Sequence, residues 1–165
     1  MIKSFLSLFQ KKHILLLIVM LFISPVLCGK NTYTICLIDS HYLTIYLNNV
    51  YLLTLYQYTY CLNTLANDFI TRIGDKRFYL YSYLSILLMS GLYTLVIYIS
   101  YYFFFGAIPS DTFTITILFM IINFIVMEFE SSILYLQIGQ KKNFLYLALP
   151  ILINLIFHIV FNSLI

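Results

Sequence analysis

An all-α, polytopic integral membrane helix bundle with about five transmembrane helices is the fold class that this sequence predicts, from three observations. The 165 residues are 62% hydrophobic and 9% charged, with a mean hydropathy of +0.96. An ordinary soluble domain carries roughly 25% charged residues. Uncharged apolar runs close to the roughly 20 residues needed to cross a bilayer recur five times along the chain. Lys and Arg gather on alternate connections between those runs, as they do where short cytoplasmic loops keep positive charge. A soluble fold of this length would expose many apolar side chains, whereas a bilayer accepts them once the backbone is hydrogen-bonded internally. The length fits one transmembrane domain, residues 1–165.

The first run, residues 14–28, follows the basic "QKKH" and reads "ILLLIVMLFISPVLC". Residues 1–28 also have the basic and apolar regions of a secretory signal, so cleavage there is the rival reading. Against a lipoprotein cleavage box, Leu27 is bulky where a small residue is required before the Cys. The second run, residues 42–65, has no charge but holds Asn48, Asn49 and Gln57, which favours a place inside the bundle. The third covers residues 78–105, the fourth residues 112–136 and the fifth residues 144–165. "GAIPSD" and "GQKKN" supply turn chemistry between the last three.

Five crossings place successive connections on alternating sides. Lys3, Lys11 and Lys12 precede the first run, Arg72, Lys76 and Arg77 lie between the second and third, and Lys141 and Lys142 lie between the fourth and fifth. The opposite segments hold Lys30, against Asp39 and Asp111. The amino terminus is thus expected in the cytoplasm, the carboxyl terminus outside, and the protein in the cell membrane.

Polar residues within spans are the default places to look for function. Asn154, His158 and Asn162 recur every four residues and form one stripe on the fifth span, where hydrogen bonding between helices is favoured over a substrate or proton path. Pro150 lies one turn before the stripe and can kink the span. Glu128 and Glu130 are two residues apart and point to different faces, which argues against paired-carboxylate catalysis. They are expected to reach interfacial water or to pair with Lys141 and Lys142. Cys28, Cys36 and Cys61 lack metal-ligand spacing and read as free thiols; Cys28 and Cys36 can join only if the loop brings them together. His13 and His41, at span edges, say little by themselves. No Gly-rich phosphate loop occurs, so the chain is not expected to hydrolyse nucleotide by itself. The chain is expected to be no enzyme, to carry no cofactor or metal and to bind no nucleic acid.

Residues 66–78 remain as the one sizeable cytoplasmic loop, and its "TRIGDKRF" is too polar to enter the bilayer. Arg72, Ile73, Gly74, Asp75, Lys76 and Arg77 resemble the Arg-x-Gly-x-basic-basic signature that leads into the third span of permeases of type-two ATP-binding-cassette exporters. The small Gram-positive type linked to peptide-antibiotic export or self-protection is the nearest likeness. It is clearest over residues 65–105 and continues through "FYLYSYLSILLMSGLY". The resemblance implies a permease that exports or clears a peptide or other amphipathic substrate, with Arg72, Gly74, Lys76 and Arg77 docking a separate ATP-binding subunit. A second permease subunit or a second copy would complete the transporter. Arg offers a rigid fork to carboxylates, Lys a mobile charge and Gly74 a place to turn. The bland alternative is that the basic residues only hold the loop inside. The chain departs from the family, which usually has six spans per half-transporter, and Asp75 dilutes the basic run. An ATP-independent immunity or accessory protein, binding a peptide or stabilising a partner complex, therefore stays open.

Overall fold

A computed structural model describes residues 2–28, 37, 41–141 and 143–164, with the side chains of residues 2, 3, 27, 28, 162 and 164 excluded. Among these residues the chain is helical apart from short connections, with no strand. The helices are α1 (Ile2–Leu6), α2 (Lys11–Cys28), α3 (Asn48–Thr64), α4 (Ala66–Ile73), α5 (Asp75–Phe105), α6 (Phe113–Tyr135) and α7 (Leu145–Leu164). A π-helical segment, Tyr42–Leu47, runs directly into α3.

Helices thus lie over all five apolar runs. Among the described residues two of them, α5 and α6, are long and apolar enough to cross a membrane, and only 33% of the most apolar window of each is buried. Their outward faces carry side chains such as Leu92, Leu95, Ile99, Ile121, Ile125 and Phe129, all exposed.

The inward faces explain the packing. On α6, Thr116, Phe119, Asn123, Met127, Glu130 and Leu134 recur every three or four residues, so one stripe is buried. On α5 the buried stripe is rich in small polar side chains, Ser82, Ser85, Ser90 and Thr94. Small residues let helix backbones approach closely, and α5 packs most extensively on α6. The two run antiparallel: Ser90 donates to the Met127 carbonyl at 3.4 Å, and Tyr98 to that of Met120 at 3.3 Å.

α3 is buried over most of its circumference, touching α2, α6, α7 and the π-helical segment. Leu53, Gln57 and Tyr60 form its outward stripe, so Asn48 and Asn49 face partners as expected while Gln57 does not. Two apolar clusters result. One holds Tyr51, Leu55, Tyr58, Ile86, Met127 and Leu134, the other Leu43, Leu47, Ile97, Tyr101, Phe119 and Phe161. Between them, on α3, α5 and α6 alike, lie polar residues: Asn48, Ser90 with Thr94, and Asn123.

The stretch expected as a loop over residues 66–78 is mostly helix. α4 ends at Ile73, Gly74 forms the joint, and α5 begins at Asp75, a turn before the apolar run. Charge marks where a helix leaves hydrocarbon and says nothing about where its backbone hydrogen bonds stop. At 1.5 Å per residue the 31 residues of α5 are about 46 Å long, some 16 Å more than a hydrocarbon core of about 30 Å.

Candidate functional site

The basic signature forms an elbow. α4 turns Phe69, Ile70 and Ile73 toward the core, where the Phe69 ring lies 4.8 Å from Phe5 and 6.2 Å from Phe78. Its opposite face is polar. Arg72 in the last turn of α4 and Lys76 and Arg77 in the first turn of α5 are all exposed. Gly74 joins the helices with φ 85° and ψ 154°, a conformation open to glycine alone, although nothing lies within 4 Å of where a Cβ would stand. The backbone, and not crowding, requires glycine here.

Asp68 opens α4 and Arg72 closes it, in keeping with the helix dipole. Lys76 and Arg77 oppose the dipole of α5, and Asp75 alone favours it. Helix stability therefore gives no reason for two cations at this end. What the elbow offers is an exposed set of donors, Arg72 on a short amphipathic helix and Lys76 and Arg77 on the base of α5 against which that helix is seated.

The loop after α6 is tied to the same base. Asn63, at the end of α3, accepts from the Gly139 amide at 2.9 Å and donates to the Gln140 carbonyl at 2.9 Å. Gly139 has φ 84° and faces the Tyr79 hydroxyl, which would lie 2.6 Å from a Cβ at this position. Lys141 is exposed beside this junction, and Lys142 lies outside the described residues.

The second candidate is the buried polar layer. Asn48 donates to Asn123 Oδ1 at 3.1 Å and accepts from Tyr93 at 3.0 Å, while Asn123 donates to the Tyr98 hydroxyl at 2.6 Å. Next to it, Asn154 donates to Asn49 Oδ1 at 2.9 Å and to the Thr44 carbonyl. His158 Nδ1 shares a hydrogen bond with Thr44 Oγ1 at 2.9 Å, and its Nε2 one with His41 Nδ1 at 2.8 Å. Asn154 and His158 thus face the π-helical segment and α3, as the stripe predicts; the Asn162 side chain lies outside the described residues. Amides, hydroxyls and imidazoles arranged in this way hold helices together, and no carboxylate takes part in these bonds.

Sequence reasoning missed Asn123, Tyr93, Tyr98 and the pairing of His41 with His158. His41 and His158 are 117 residues apart, and no local spacing signals such a contact. Asn123 had the signal of a lone amide in an apolar run.

The glutamates correct an expectation. Glu130 is fully buried and neither carboxylate oxygen has a hydrogen-bond partner, so it reaches no interfacial water and no lysine. It belongs to the inward stripe of α6, whereas Glu128, two residues away, is half-buried beside Gly91 of α5. Cys61 is a free thiol; the Cys28 side chain and Cys36 lie outside the described residues. Among the described residues no group of three metal-binding side chains comes together. The chain matches no family model, no curated protein and no solved structure.

Proposed function

We propose that this is a multi-pass cell-membrane protein acting as the permease-like subunit of an ATP-binding-cassette transporter, with a separate ATPase docking on the α4–Gly74–α5 elbow. The exposed apolar faces of α2, α5, α6 and α7 support the bilayer setting, because water-soluble monomers rarely expose apolar patches beyond a few hundred Å². The elbow carries the docking reading. Its Arg72 is exposed on a helix seated against α5 and its Lys76 and Arg77 are exposed on the first turn of the unbroken α5, so a push on the elbow moves α5 as a body. The substrate of this reading is a peptide or other amphipathic molecule, exported or cleared from the membrane. The chemistry of transport then lies in the partner, and this chain contributes the path and the lever.

Reversing Arg72 and Arg77 to Glu tests the docking. The double variant is expected to insert normally but to lose co-purification of the ATPase in mild detergent, together with the associated export or resistance. Reversing Lys141 and Lys142 should weaken the partner much less. Equal losses at both sites reduce the elbow to a topology signal. Retention of function with no ATPase recovered from the wild type selects the alternative, an ATP-independent immunity or accessory protein.

A further inference from the structure

α2 does not close on α5 along its whole length. Between them lies a cleft of about 430 Å³, bounded by Ile14 to Leu21 on α2 and by Met89 to Ile97 on α5. Its floor includes Tyr51 and Tyr93, whose rings stack at 3.9 Å. The lining is otherwise aliphatic or phenyl, and the Tyr93 hydroxyl is already committed to Asn48. The Tyr51 hydroxyl is buried away from the cleft surface, so the exposed lining gives a polar ligand little to bond, and a non-helical peptide would leave its backbone groups unpaired.

The extent of the cleft narrows its occupant. Eight residues of α2 and nine of α5 correspond to about 12 to 14 Å of helix, within the roughly 15 Å of one leaflet's hydrocarbon. A partner helix crossing the whole bilayer would need twice that. Further along, the two helices are closed by the Phe22 and Phe104 rings at 5.9 Å and by Ser24 donating to the Tyr101 hydroxyl at 2.8 Å. At the first turn of α2 the cleft is bordered by Leu6 and Phe9. There Lys11, three residues before Ile14, continues the cleft-facing stripe, and Lys12 stands beside it, both exposed. A lysine stem can lie along apolar surface while its ammonium reaches the headgroup level.

We propose that this cleft is a binding site for an acyl chain of an anionic glycerophospholipid of the cytoplasmic leaflet, whose phosphate is held by Lys11 and Lys12. The proposal rests on the bilayer setting and is independent of the ATPase partner.

The chain contains no Trp, so a single introduced Trp reports its own surroundings. Leu92→Trp places one at the exposed edge of the cleft, and Leu152→Trp, on the outward face of α7, places a control against bulk lipid. The full chain is reconstituted in phosphatidylcholine bilayers containing increasing fractions of phosphatidylglycerol with brominated chains, which quench Trp on contact. Quenching at Leu92→Trp is expected to half-saturate at a mole fraction about tenfold below that of the control. Adding Lys11→Gln and Lys12→Gln should abolish this difference, and brominated phosphatidylcholine should not produce it. Equal titration of both Trp residues overturns the proposal, as does a preference unchanged by the lysine substitutions. Quenching at the control with none at Leu92→Trp means that protein, such as a second copy, fills the cleft, which also overturns it. Absence of quenching at both positions overturns the bilayer setting itself.

Discussion

Asn48 and Asn123 face each other across α3 and α6 at 3.1 Å, and each has a further tyrosine partner. Interhelical hydrogen bonds in bilayers average about 0.6 kcal/mol, with a maximum near 1.7. Asn48→Leu and Asn123→Leu are each expected to lower the unfolding free energy in detergent by about 1 kcal/mol. The double variant should lose less than the sum, because the first substitution already removes the shared bond. Strict additivity in an SDS titration counts against a connected layer. Glycine, charge and amide positions were the legible residues. Gly74 was readable as a turn because it interrupts a polar stretch, and Asn154 and His158 as inward-facing because lipid cannot satisfy them. Glu130 was not readable, since the same spacing serves a carboxylate at the interface and one buried among helices.

α5 and α6 meet through side chains too small to hold them apart. Ser90 is fully buried, and its hydrogen bond to the Met127 carbonyl is long at 3.4 Å. Ser90→Ala is therefore expected to cost well under 1 kcal/mol. Ser90→Leu forces extra volume between the two backbones and is expected to cost about 1 to 3 kcal/mol or more. Thermal unfolding in detergent separates the two; equal effects would mean that the hydroxyl, and not closeness, matters. The positions of the helices over the apolar runs were legible because hydropathy and helix length select the same residues. α1 and α4 were hidden, and the π-helical form of residues 42–47 could not be told apart from the run that it opens. Charged or mixed composition has no run to detect, and their shape depends on contacts such as that of Phe5 with Phe69.

At the scale of the molecule, the expected topology is five crossings with the amino terminus inside. A phosphatase or fluorescent reporter joined after Ile165 should read as external, and one joined after Ile73 as cytoplasmic. A cytoplasmic signal after Ile165 means that one apolar run fails to cross. The excess length of α5 over a hydrocarbon core, with α1 and α4 packed on its base, gives the bundle a layer beyond the apolar runs. That layer was invisible to a search for spans, which stops where charge begins.

The burial of α3 has a bearing on how the chain is made. α3 is less apolar than α2, α5, α6 or α7, and it hides Asn48, Thr54 and Thr59 against neighbours. It also leaves the ribosome before α5, α6 and α7, which supply most of those neighbours. Lipid takes up helices in proportion to their hydropathy, so for a bilayer-inserted bundle of this kind the order of synthesis and the order of commitment to the bilayer are expected to diverge. In a bilayer, α3 is expected to commit only once the later helices are there to receive it.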